Sequence, residues 1–272
     1  MPYRLSAFAD EIAPDIQVQM DHLLENGITA CAMRGANGKN VMEFEDFQVK
    51  LMKTQFINRG IRFSCIGSPI GKIKVTDPFE PELERLKKAM KLAKAFETKV
   101  VRIFSFYIPE GDAPAKHKAE VLRRMKALAD LAKSDDINLV VENEKGIYGD
   151  IADRQLEVLE HVNMPNVRNA FDFGNFVECK DDLMKAWAKL KKHTVDIHAK
   201  DVKHGHGVVP VGQGDGHVKE ILQDAFATDW KGYISLEPHL SAAGQFQGFT
   251  GATLFKTAVD ALKKILTEVG AK

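Results

Sequence analysis

Short runs of apolar, β-branched and aromatic residues alternate along this chain with longer charged stretches in which apolar positions recur every three or four residues. The short runs fall at about 3–10, 28–35, 61–69, 99–107, 137–144, 167–175, 194–201 and 232–239, and each is followed by an amphipathic segment. That pattern predicts eight βα units. Local signals agree with it: Asp15 precedes IQVQMDHLLENG with Gly27 as a stop, and Asp77–Pro78 precedes the long EPELERLKKAMKLAKAFE run. Strands separated by helices pair in parallel through right-handed crossovers, and eight units of ~30–35 residues match a closed barrel better than an open sheet. The expected fold is α/β, a single (β/α)8 TIM barrel. No linker, low-complexity tract or composition shift interrupts residues 1–272, which are read as one domain.

The longest connection, KHGHGVVPVGQGDGH from Lys203 to His217, follows the seventh strand. Its glycines forbid helix, and its position predicts a lid, a substrate loop or a plain connection over the barrel mouth.

The last four runs each end in a side chain able to bind a metal: LVVENE at Glu142, NAFDFGN at Asp172, VDIHAKD at His198 and YISLEPH at Glu237. A strand buried on both faces is nearly all apolar, so a charged group at its last inward position costs folding energy unless a partner compensates it. One shared divalent cation would compensate all four. In a barrel of this kind the chemistry sits at the C-terminal ends of the strands, where Glu11, Arg34, Arg102, Asn175 and Lys200 also fall. Three carboxylates and an imidazole form a hard, oxygen-rich set that suits Mn2+, Mg2+ or Co2+ best, with Zn2+ also admissible.

Composition narrows the partners. The chain has 272 residues, 44% of them hydrophobic, and its 38 lysines and arginines balance 38 aspartates and glutamates. No net field draws it to nucleic acid or an anionic membrane, so a small-molecule substrate is expected. The N-terminal MPYRLSAFADEIAPD has no h-region, and no later run approaches the ~20 apolar residues of a membrane span, which predicts a soluble cytoplasmic protein. Cys31, Cys65 and Cys179 are odd in number and lack CxxC spacing, against disulfides and a zinc knuckle alike. GSPIGK, ending at Lys72, lacks the spacing of a nucleotide P-loop, and no Rossmann fingerprint or Schiff-base context appears, so neither NAD nor pyridoxal phosphate is expected.

The spaced set VVEN, FDFGN, DIHAKD and SLEPH, with ADEIA near the start and GSPIGK and VRIFSFY between, resembles the xylose-isomerase-like sugar phosphate isomerase/epimerase superfamily of TIM barrels over essentially the whole chain. The resemblance implies that Glu142 and Glu237 are both metal ligands and the acid/base pair, with Asp172 and His198 completing the site. It implies a sugar isomerase or epimerase working by proton transfer through a cis-enediolate. A dehydratase of a keto-sugar or keto-cyclitol, similar to inosose dehydratase, is the runner-up, since the same species can expel a β-hydroxyl.

Asn175 departs from the ketose 3-epimerases, which carry histidine there. The endonuclease IV type needs further histidines and an aspartate, and Asn175, His206 and Val208 stand where its ligands belong, so a three-zinc cluster is not expected. A sugar-sensing barrel without turnover is the alternative of another class. Among the supporting residues, Lys200 shares the inward parity of His198 and could bind a substrate oxygen or pair with a site carboxylate, while Asp201 should face helix packing. Glu11 and Arg34 are expected to pair with each other or grip the distal end of the substrate, Lys72 and Arg102 to meet an anionic group or play structural roles, and His239 to contact Glu237 or substrate. Phe104, Phe106, Tyr107 and Phe176 are expected in an apolar wall or in the core. Self-association is left open by the sequence.

Overall fold

The computed structural model describes residues 3–241 and 250–271. Eight strands, β1 (Tyr3–Phe8), β2 (Ala30–Met33), β3 (Arg62–Gly67), β4 (Val100–Ile103), β5 (Asn138–Glu142), β6 (Val167–Asp172), β7 (Thr194–Ala199) and β8 (Gly232–Leu236), close into a barrel. Each pairs in parallel with its neighbours in sequence, and β8 closes the ring on β1 with Tyr3 opposite Gly232 and Ala7 opposite Leu236. The expected single TIM barrel is the fold observed.

All eight runs form strands, but the sheet ends earlier than the apolar runs do. Beyond Ile103, the amides of Phe104, Phe106 and Tyr107 bond to the carbonyls of Ile70, Gly71 and Ile73, in the loop above β3. Backbone donors at the rim are thus satisfied by loop rather than sheet. Gly71 makes that approach feasible: it has φ +86°, and a Cβ there would lie 2.0 Å from the Phe104 carbonyl oxygen.

The helices follow their apolar stripes. In α1 (Ile16–Glu25) the Asp15 carboxylate accepts the amides of Gln17 and Val18, and Ile16, Met20 and Leu23 are buried on one face. The last helix, Ala252–Glu268, buries Phe255, Val259, Leu262 and Leu266 against the barrel, each contributing about 1.5–3 kcal/mol. Asp77 does not cap the helix Glu80–Ala95; its carboxylate accepts the Lys74 amide at 2.9 Å, so it shapes the loop instead. Among the described residues no helix is long and apolar enough to cross a membrane.

The glycine-rich loop after β7 opens as a small hairpin, Asp201–Lys203 against Gly207–Val209. Asp201 corrects the sequence expectation: the strand ends at Ala199, parity is lost, and its carboxylate turns into the loop instead of toward helix packing. It accepts the amides of Val202, Gly212, Gly214 and Gly216 at 2.8–3.0 Å and is 1% exposed. Asp201→Ala strands these donors, and an unsatisfied buried group costs ~1–3 kcal/mol. A loss of roughly 2–4 kcal/mol is expected in urea denaturation, with faster amide exchange at Gly212, Gly214 and Gly216. Unchanged protection at those glycines would show that the carboxylate does not hold the loop.

Candidate metal centre

Glu142 and Asp172 are the last residues of β5 and β6, His198 is next to last in β7, and Glu237 follows the end of β8. Adjacent staves therefore deliver four side chains to one point at the rim. The His198 Nδ1 lies 3.3 Å from Glu142 Oε1, 3.2 Å from Glu237 Oε2 and 3.9 Å from Asp172 Oδ2. One ligand atom from each of the four residues lies within 4.8 Å of all the others, and all four residues are buried.

Neighbours dictate which oxygen faces the centre. Arg102 donates to Glu142 Oε2 at 2.6 Å and Arg34 to Glu237 Oε1 at 2.5 Å, so each glutamate turns its other oxygen to His198. Asp172 caps a short helix (Phe173–Glu178) by accepting the Asn175 amide on Oδ1 at 2.7 Å, which leaves Oδ2 inward. Asp172 Oδ2, His198 Nδ1 and Glu237 Oε2 are buried without a hydrogen-bond partner among the described residues. Buried polar atoms left unpaired cost stability, and three of them converging with Glu142 fit a divalent cation in donor type and spacing.

The electrostatics agree. Burial raises the carboxyls, but for Glu142 the His198 and Arg102 charges outweigh it and bring the value down to about 2. Burial is likewise outweighed at Glu237 by hydrogen bonds to His198 and His239 and by the Arg34 charge, which hold it well below the usual range. At Asp172 burial wins over Lys200 and pushes the value up to about 7. His198 is raised well above its ordinary value, because Glu142, Asp196 and Glu237 overcome the burial that would lower it. The carboxylates around His198 thus favour positive charge on its ring.

The remaining predicted residues surround this point. Asn175 donates to the Asn143 carbonyl at 2.8 Å and accepts from Lys200 Nζ at 2.6 Å, while Lys200 also lies 3.4 Å from Asp172 Oδ2. Glu11 and Arg34 do pair, at 2.7 Å, and Arg34 also holds Asp10 at 2.7 Å. His239 Nε2 is 3.0 Å from Glu11 and 3.4 Å from Glu237, and these partners raise it to about 9 against the lowering effect of burial. Lys72 meets Glu144 at 2.6 Å. A cavity of about 610 Å3 opens above the centre, lined by Arg34, Lys72, Arg102, Glu142, Asn175, Lys200, Glu237 and His239. Glu11 lies behind this wall, wholly buried.

Phe104, Phe106 and Phe176 are fully buried, so the apolar wall is core; Phe104 instead sits under the cations of Arg102 and Lys72, 4.6 and 4.3 Å from its ring centroid. Burial pushes the Cys179 thiol up to about 12, which disfavours its thiolate. Asp10 and Glu144 line the cavity and were not picked out in the sequence. Glu144, two residues past Glu142 in VVENE, carried a parity signal; Asp10, on the turn after β1, carried none.

A closed parallel barrel with an acid-rich, cation-seeking centre at its rim defines a class of (β/α)8 proteins. The xylose isomerase-like TIM barrel family matches residues 20–265, and the chain belongs to it. It is 22% identical to a 3-dehydroshikimate dehydratase of Bacillus anthracis, over 78% of this chain and 81% of that protein. Its fold is similar to D-psicose 3-epimerase from Clostridium cellulolyticum H10, with TM-score 0.75, 12% identity and coverage of 96% and 98% of the two chains. It is also similar to a xylose isomerase-like TIM barrel protein from Mycobacterium smegmatis in complex with magnesium, with TM-score 0.69, 17% identity and 97% coverage of each chain.

Proposed function

We propose that the protein is a divalent-metal-dependent isomerase or epimerase of a small hydroxy-carbonyl compound, a sugar or a close relative of one. The observation that carries this reading is the pairing of two glutamates about one cation position: Glu142 and Glu237, each clamped by an arginine through one oxygen, present the other at 3.3 and 3.2 Å from His198 Nδ1. Glu142, Asp172, His198 and Glu237 would hold the ion, with Mn2+, Mg2+ or Co2+ favoured and Zn2+ also admissible. When bound, the ion acts as a Lewis acid toward carbonyl and hydroxyl oxygens of the substrate.

The chain's own residues move the protons. Glu142 and Glu237 are ionised at neutral pH, so either can take the proton from the carbon beside the carbonyl. Return by the other glutamate on the opposite face epimerises that carbon; return to the neighbouring carbon interconverts aldose and ketose. Arg102 and Arg34 keep the two carboxylates charged and aimed, and Lys200, on the cavity wall, would donate to a substrate oxygen. His239, a cation on the cavity wall, favours a second reading as a dehydratase, because it could protonate a departing hydroxyl; the similarity to the Bacillus anthracis dehydratase points the same way.

The test is solvent-deuterium incorporation into ketoses, aldoses and keto-cyclitols with Mn2+, Mg2+ or Co2+ supplied. Deuterium at the carbon beside the carbonyl, abolished by a chelator, is expected; loss of water from the product would select the dehydratase. No carbon–hydrogen exchange in any of these compounds with any of the three ions would overturn the proposal.

A further inference from the structure

Below the four converging donors, β7 carries one more acid on the same face. Asp196 precedes His198 by two residues, so it points into the barrel one layer lower, where it is 6% exposed. Its Oδ1 accepts from the Ser235 hydroxyl at 2.8 Å, and Ser235 stands opposite His198 in the register of β8 with β7. Its Oδ2 faces His198 Nε2 at 3.7 Å. That nitrogen is buried and has no hydrogen-bond partner among the described residues. The buried hydroxyls of Ser6 on β1 and Ser64 on β3 are bonded to each other at 2.6 Å. Phe8 packs edge-on against the imidazole, with ring centroids 5.2 Å apart at 76°, and limits its rotation.

The two ring nitrogens therefore face different worlds. Nδ1 points to Glu142, Asp172 and Glu237, and among the described residues Nε2 faces Asp196. An imidazole that offers a lone pair from Nδ1 carries its proton on Nε2. A buried N–H needs an acceptor, and Asp196 Oδ2 is the carboxylate oxygen on that side. The gap exceeds a hydrogen bond and closes with a shift of about 0.7 Å.

We propose that Asp196, oriented by Ser235, is a positioning residue that fixes His198 in its Nε2–H form and so turns the Nδ1 lone pair toward the three carboxylates. The inference rests on the reading of this point as a metal centre. It predicts that Asp196 sets metal affinity while touching neither ion nor substrate.

Asp196→Asn keeps the shape and removes the charge; Asp196→Ala removes the acceptor. Mn2+ affinity by calorimetry is expected to fall by roughly tenfold in Asp196→Asn and by roughly a hundredfold in Asp196→Ala. The visible absorption of the Co2+ complex should change in both. A merely structural role would lower the melting temperature and leave the spectrum of the Co2+-loaded folded fraction unchanged. Should the alanine variant fail to fold, the asparagine variant decides. Affinities within twofold of wild type with an unaltered Co2+ spectrum would overturn the role of Asp196. Absence of Mn2+ and Co2+ binding to the wild type would instead remove the metal centre itself, and this inference with it.

Discussion

Glu237→Gln is expected to slow turnover by about a thousandfold or more, since on the proposed mechanism the change removes a base and a negatively charged donor from the same centre. The fold should survive. The amide oxygen can still accept from Arg34, which holds Glu237 Oε1 in the wild type, and the side-chain volume is unchanged. What is lost is the inward oxygen, Oε2, at 3.2 Å from His198 Nδ1. Glu142→Gln should behave alike, because Arg102 holds its Oε2 and its Oε1 faces the same nitrogen. Circular dichroism and steady-state rates on the same preparations separate loss of chemistry from loss of fold. Wild-type-like turnover in either variant would remove that glutamate from the acid/base pair. The two variants also distinguish one-base from two-base chemistry. If each glutamate serves one face, a single variant should keep some deuterium exchange from one epimer and lose it from the other.

The quartet proposed as the metal centre, whose four side chains do converge, stood out in the sequence because it breaks a rule. Runs such as LVVE and YISLE are mostly apolar, as buried parallel strands must be, and an acid at the end of such a run is conspicuous. The barrel was legible because the period switches between two and about 3.6 eight times. Strand ends were not, since Phe104–Tyr107 reads as strand although the amides of Phe104, Phe106 and Tyr107 are taken by the Ile70–Ile73 loop. Asp201 was misread for a related reason: parity arguments hold within a strand, and β7 had already ended at Ala199. Asp10 stayed hidden because it sits on a turn with no period. Asp196 had the right parity, but with Glu142, Asp172, His198 and Glu237 already marking strand ends, an acid in mid-strand offered no ligand position.

Arg34→Met should destabilise the metal-free protein by roughly 3–5 kcal/mol near neutral pH, the size expected when one partner of a buried ionic cluster is removed. The guanidinium is the hub of that cluster: Nε donates to Asp10 at 2.7 Å, Nη2 to Glu11 at 2.7 Å and Nη1 to Glu237 at 2.5 Å. Methionine replaces much of the volume and none of the charge, so Glu11 would keep His239, Glu237 would keep His198 and His239, and Asp10 would lose its guanidinium partner. The pH dependence identifies the cause. In the wild type, burial raises Glu11, but His239, Arg34 and Thr250 outweigh it and hold the carboxyl below its ordinary value; Glu237 is depressed in the same sense. Depressed carboxyls stabilise the fold above their unfolded pKa, and that contribution is lost as pH falls through the folded value. Without the guanidinium, burial and mutual repulsion act with one opponent fewer, and the carboxyls rise. A raised carboxyl favours the fold below its unfolded pKa and loses that advantage as pH climbs through the folded one. The gap between wild type and variant should therefore be widest near pH 7 and narrow toward about pH 4–5. Urea denaturation of both proteins at these pH values, with chelator present, makes the comparison. A gap under about 1 kcal/mol near pH 7, or one that does not shrink on acidification, would mean that Arg34 is not what compensates Asp10, Glu11 and Glu237.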